Sequence, residues 1–217
     1  MLNEIIQRSF TAEYRAYAET GLIEGIPIVF DTPTDIGGLF QETICRGAIA
    51  PEVIGPEADV RFFWNHELNK MAIGRTIIPI SKFGGLELTP TENNVRMKNY
   101  PNRQRTDAND LYLAIEDGTI NAMSFMFRVA DERWEDLDTD YPRRFILRID
   151  RVIEVSAVNF AAYTTTSINA RHDGSAENDI LALETARAKR AAELEKPAQN
   201  IKSANAEIQK IIMRYKR

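Results

Sequence analysis

The sequence predicts an α+β fold, a small and mostly antiparallel β-barrel or sandwich with helices around it and a helical C-terminal tail. Three observations carry this expectation. Short β-branched and aromatic runs alternate with Gly, Pro, Asn and Asp before residue 174. One stretch among them, Thr106 to Asp117, has helical spacing. From Ala176 onward the composition turns to Ala, Glu, Arg and Lys, all but the linker residues strong helix formers.

Taken in order, the strand candidates are Gly25 to Phe30, Val60 to Asn65, Arg75 to Ile80, Leu86 to Thr89, Ala122 to Val129, Phe145 to Arg151 and Val152 to Phe160. The helix at Thr106 to Asp117 follows from Leu111, Tyr112 and Ile115 on one face, with Asp107 or Asn109 available to cap it. Asn93 to Asp107 is polar and basic, contains Pro101, and reads as a mobile loop. His172 to Ser175 reads as a linker, so the chain divides into a β domain over 1–174 and a charged helical tail over 175–217. Within the tail a helix over Ala176 to Lys196 stops at Pro197. A second run, Ala198 to about Tyr215, places Ile201, Ile208 and Ile212 near one face, a narrow stripe suited to packing on its own domain or on a partner helix.

Composition narrows the function classes. With 44% hydrophobic and 27% charged residues in 217, the chain is ordinary globular protein, neither disordered nor fibrous. Its apolar runs are only a few residues long, far below the roughly 18 to 20 of a membrane span, so no membrane association is expected. Met1 to Phe10 lacks the apolar core of a signal peptide, and no export is expected. A single cysteine, Cys45, forms no internal disulfide, and with two histidines it builds no four-ligand Cys/His zinc site; a reducing cytoplasm is the expected compartment, with no metal and no cofactor. Residues 1–174 hold 18 basic and 26 acidic side chains, while 175–217 hold nine and six. An acidic body argues against nucleic acid as a partner, because that binding depends on Lys and Arg neutralising phosphates.

Few side chains are candidates for chemistry. His66 ends the aromatic run Phe62-Phe63-Trp64-Asn65, where active-site groups often emerge, although strand alternation would align it with Phe62 and Trp64 as a cap on an apolar face. A helix-borne zinc motif fails here because position 70 is Lys. His172 falls in the polar linker. Ser124 shares a strand face with Ala122, Met126 and Arg128, opposite the bulky Met123, Phe125, Phe127 and Val129. It becomes nucleophilic only if a base such as a histidine on a neighbouring strand accepts its proton, and a strand serine is otherwise structural. Asp150 and Glu154, on one face with Val152 between them, could orient that histidine, but at about 14 Å apart only one could reach it. Glu154 lies in an apolar run and needs a partner when buried, either the imidazole or an arginine such as Arg128 or Arg151. Cys45 beside Arg46 is an alternative nucleophile, though a free cysteine usually serves as a small packed hydrophobe.

The order of four segments carries a resemblance. Gly38-Leu39-Phe40-Gln41-Glu42-Thr43-Ile44-Cys45-Arg46-Gly47-Ala48, then Phe63-Trp64-Asn65-His66 with Ile73-Gly74-Arg75, then Gly118-Thr119-Ile120 leading to Met123-Ser124-Phe125, then Val152-Ile153-Glu154-Val155-Ser156-Ala157-Val158, together resemble the prohead maturation proteases of tailed phages, relatives of the herpesvirus assemblin serine proteases. The resemblance spans about residues 25 to 171, with Ala161 and Met126 as departures from the pattern. It implies a β-barrel of the assemblin type, with Ser124 as nucleophile, His66 as general base and Glu154 as the residue that holds His66. It implies a serine endopeptidase that cuts scaffolding protein, or the scaffold-like part of the major capsid protein, and also itself, inside the assembling procapsid in the host cytoplasm. The expected partners are those two proteins and further copies of this chain. The rival expectations are a catalytically inactive head or scaffold-associated protein of the same fold, and a small-ligand barrel with a packed His66.

Overall fold

A computed structural model gives the fold and describes residues 5–11, 14–159 and 177–195. The chain divides into two units, residues 1–178 and 179–217. In the first unit, eleven described strands make one mixed sheet: β1 (Ile5–Thr11), β2 (Arg15–Tyr17), β3 (Leu22–Val29), β4 (Thr34–Asp35), β5 (Gln41–Ile44), β6 (Arg61–Trp64), β7 (Gly74–Arg75), β8 (Gly85–Pro90), β9 (Asn94–Tyr100), β10 (Ala122–Glu135) and β11 (Arg143–Val158). Two α-helices accompany them, α1 (Pro51–Ile54) and α2 (Thr106–Glu116), with a 3-10 turn at Pro56–Ala58.

The sheet runs β1-β10-β11-β6-β7-β8-β9-β3-β2, with β5 also on β11 and β4 on β5. Most pairs are antiparallel; β5 and β6 on β11, and β7 on β8, are parallel. β11 is the spine. One of its edges bonds β10 along nearly its whole length, and the other is shared by β5 at residues 143–146 and β6 at residues 154–157. The two separate strand candidates Phe145 to Arg151 and Val152 to Phe160 are therefore one element.

The expected closed barrel does not form. One edge of β10 is taken by β1, and the outer edge of β3 is partly taken by β2, so among the described residues the two ends of the sheet do not pair with each other. They meet by packing instead. A Cβ placed on Gly25 of β3 would lie 2.8 Å from Met123 Sδ on β10 and 3.1 Å from the Tyr14 ring, so glycine is what allows the approach. Beneath the sheet, Met123, Phe125, Phe127 and Val129 are fully buried with Val152, Val155 and Ala157, as alternation predicts for β10.

Two further expectations are corrected. Asn93 to Asp107 is not a mobile loop, since β9 takes up nearly its first half between β8 and β3. Val95, Met97 and Asn99 point inward while Arg96 and Lys98 face solvent, a period-two pattern that the basic composition masks. Arg75 to Ile80 is a strand only at Gly74–Arg75, because the chain turns at once, with Ile78 N–H donating to Arg75 O at 3.1 Å. The helix α2 forms where expected, with Ala108, Leu111, Tyr112 and Ile115 buried at helical spacing. Its N-cap residue is Arg105, not Asp107 or Asn109; Asp107 instead accepts the Ala108 N–H at 2.9 Å within the first turn. The helix ends at Asp117 and Gly118, whose φ of +79° suits glycine. Residues 177–195 are helical. The linker with His172, and the run Ala198 to Tyr215, lie outside the described residues.

Candidate active site

Three neighbouring strands supply the site. The register aligns Ser9 of β1, Ser124 of β10, Ser156 of β11 and Phe63 of β6 in one row across the sheet, and aligns Met126 with Glu154 one step along. Paired residues share a face, so Ser124, Ser156 and Glu154 lie on the face opposite the phenylalanine layer. Ser124, Glu154 and Ser156 are completely buried, and the His66 side chain is 12% exposed.

Glu154 lies on this face by alternation with Ser156, and a bulge in β11 puts the residues before it out of phase. The register passes from Met126↔Glu154 to Phe127↔Val152, which leaves Ile153 as an extra residue and reverses the alternation. Asp150 and Glu154 therefore do not share a site. Asp150 instead forms a fork with Arg128 at 2.8 and 3.0 Å, whose hydrogen bonds hold its carboxyl below the ordinary range. Arg128 is thereby engaged elsewhere, and the buried partner of Glu154 is the imidazole: His66 Nδ1 lies 2.7 Å from Glu154 Oε1.

His66 reaches Glu154 by leaving its strand. β6 ends at Trp64, and Asn65 and His66 take consecutive left-handed conformations with φ of +50° and +58°. Continued alternation would have placed His66 with Phe62, which is in register with Val155 on the core face; the turn swings it to the face of Glu154. Such a turn costs on the order of 1 kcal/mol or more per residue and persists only when its surroundings hold it. Here Asn65 N–H donates to Ala157 O at 2.8 Å, Asn65 Oδ1 accepts the Asn159 N–H at 3.1 Å, and Trp64 Nε1 donates to Asn159 Oδ1 at 3.3 Å. The His66 N–H donates to Ser156 Oγ at 3.3 Å, and Ser156 Oγ donates to Glu154 Oε2.

A carboxylate only accepts, so in the neutral imidazole Nδ1 carries the proton and Nε2 presents a bare lone pair. Nε2 is buried and has no partner among the described residues. The Ser124 hydroxyl donates to the Arg8 carbonyl of β1 at 2.9 Å rather than to the imidazole. Nearby, the Tyr14 hydroxyl is also buried without a partner; burial, then the charge of Glu154, raises its pKa well above the usual phenol value, so it stays a protonated donor. Sequence reading missed both Tyr14 and Ser156. Ser156 had a signal, two residues after Glu154 on the same strand face; Tyr14 had none.

Cys45 is not part of this arrangement. It follows β5, which bonds the far end of β11, and Ile146 and Glu154 are about 26 Å apart at about 3.3 Å per strand residue. Burial, then Asp31, pushes its thiol up, and Arg46 is bound to Asp31 and Glu92. Among the described residues no group of three or more His, Cys, Asp or Glu side chains is placed to hold a metal, and no helix is long and apolar enough to cross a membrane.

The other motif residues frame the site. Arg75 forks onto Asp59 at 2.9 and 2.7 Å, tying β7 to the chain two residues before β6. Gly74 leaves room for Asn99, whose Nδ2 would lie 2.2 Å from a Cβ there. Glu42 is buried between Arg8, at 2.5 and 2.9 Å, and Arg144, at 3.3 Å, which joins β5, β1 and β11.

No curated protein and no solved structure matches this sequence. The family model that does match, that of the caudovirus prohead serine proteases, covers residues 9–179 and so takes in the His66 turn, β10 and β11 together; the chain belongs to this serine protease family.

Proposed function

We propose that the protein is the endopeptidase of phage procapsid maturation, with Ser124 as nucleophile, His66 as general base and Glu154 as the residue that orients and charges the base. The observation that carries this is the buried His66–Glu154 pair at 2.7 Å, which leaves Nε2 bare on the face that also bears Ser124. In the reaction the Ser124 hydroxyl leaves the Arg8 carbonyl and turns to Nε2. The proton passes to Nε2 as Oγ attacks the scissile carbonyl, and then moves from Nε2 to the leaving amine as the C–N bond breaks. Water repeats the sequence to release the acyl group. Glu154 stabilises the imidazolium formed in between without taking the proton itself. An inactive member of the fold would have no need to hold a strained histidine against a buried carboxylate.

The substrates proposed are scaffolding protein or the scaffold-like part of the major capsid protein, together with the chain's own charged tail, cut within the assembling procapsid. The test is the intact mass of wild type and Ser124→Ala, expressed identically and incubated concentrated, followed by incubation with the capsid or scaffold partner. Truncation that needs Ser124 supports the reading. Full-length wild type together with intact partner overturns it.

A further inference from the structure

The site contains a closed ring of hydrogen bonds among Glu154, His66 and Ser156, of which Ser156 is the member the triad chemistry does not use. Glu154 Oε1 takes His66 Nδ1, Glu154 Oε2 takes the Ser156 hydroxyl, and Ser156 Oγ in turn takes the His66 backbone N–H. One small hydroxyl thus holds both ends of the catalytic pair, fixing the plane of the carboxylate and anchoring the main chain of the left-handed His66. A hydroxyl has one proton, and that of Ser156 is spent on Glu154, so Ser156 cannot itself deliver a proton to Nε2 as a nucleophile must. It is nonetheless the direct register neighbour of Ser124 and is completely buried.

We propose that Ser156 is a positioning residue of the protease reaction, locking His66 in the tautomer with Nδ1 protonated and Nε2 bare. The proposal rests on the reading of His66 and Glu154 as base and orienting acid. Among the described residues nothing else around the carboxylate duplicates this function: the Tyr14 hydroxyl, though near enough to feel the charge of Glu154, makes no hydrogen bond to them, and Arg61, in register with Glu154 on β6, directs its guanidinium to Asp59 at 3.3 Å. Without the Ser156 hydroxyl the carboxylate can rotate, the His66 N–H loses its acceptor, and the ring samples the tautomer in which Nε2 carries the proton and cannot act as base.

The chain has only two histidines, so imidazole nitrogen resonances of the full-length protein, labelled with 15N-histidine, report the tautomer directly, with His172→Gln used for assignment. Measured near pH 8, wild type shows the single Nδ1–H tautomer for His66, Ser156→Ala shows a mixture, and Ser156→Thr, which keeps the hydroxyl, restores the single form. In parallel, Ser156→Ala loses about ten- to a hundredfold in cleavage rate, the scale of one hydrogen bond to a charged group, and Ser156→Thr recovers most of it. A single Nδ1–H tautomer in Ser156→Ala overturns the proposal whatever its rate. Should Ser156→Ala fail to fold, Ser156→Cys, of similar shape with a weak donor, takes its place with the same two outcomes. A wild type that cleaves nothing defeats the protease reading alone, because the tautomer comparison still decides the role of Ser156.

Discussion

At the scale of single residues, the site separates two carboxylates that sequence spacing left as alternatives. Glu154 is buried on an imidazole, while Asp150 lies on the surface in a fork with Arg128. Replacing Glu154 by Gln removes the charge that stabilises the imidazolium while nearly preserving shape, and cleavage falls about 10³- to 10⁴-fold with the folded state retained, as judged by circular dichroism and cleavage kinetics on the same sample. Asp150→Asn leaves cleavage at the wild-type rate and changes unfolding free energy by at most about 1 kcal/mol, since an exposed ion pair contributes little. Equal losses in the two variants would show that the assignment of Glu154 is wrong. His66 and Ser124 stand out in the sequence as candidates because the chain has so few histidines and because four motifs occur in order. How His66 comes to meet Glu154 was not legible. Alternation assigns His66 to the core side, and only the left-handed Asn65–His66 turn contradicts it.

At the scale of elements, the legible parts were those whose side-chain period survives without interruption. The helix α2 and the buried face of β10 appear where their periods put them. β9 was hidden because Arg96 and Lys98 made a true alternating strand look like a basic loop, and β11 was split in two because its bulges break the alternation. β7 was overextended because nothing local announces that the strand stops after Arg75. The turn that follows depends on close backbone approach at Gly85, where an added Cβ would lie 2.3 Å from Pro79 O and 2.7 Å from Ile80 Cα. Backbone cannot move aside as a side-chain tip can. Gly85→Ala therefore costs about 2 to 4 kcal/mol in chemical denaturation, through displacement of the β7–β8 junction. A change below about 0.5 kcal/mol would mean that the junction is not packed as described.

At the scale of the whole molecule, the sheet is tied together by buried charge as well as by its apolar core. Burial pushes the Glu42 carboxyl up, but the charges and hydrogen bonds of Arg8 and Arg144 outweigh this and hold it below its ordinary value. A carboxyl whose folded pKa is depressed contributes stability that is fully present above its unfolded value, near 4.3, and is lost as pH falls through the lower folded value. Thermal unfolding followed from pH 7 to pH 2 shows wild type losing this contribution below about pH 4. Glu42→Gln, which removes the buried charge facing Arg8 and leaves Arg144 on Glu132, is less stable by about 3 to 5 kcal/mol at neutral pH, and the gap narrows on the acid side. A constant gap across that range would remove Glu42 as the source. The sequence by itself determined the class of the fold, the helix α2, the bulky face of β10 and the family, because periodicity, propensity and motif order are local properties of the chain. Only the tertiary structure decided that the sheet stays open, that a bulge selects Glu154 over Asp150, and that Ser156 closes the ring on His66. Those outcomes depend on strand register and on which edges are already occupied, and both arise from pairing between residues dozens of positions apart.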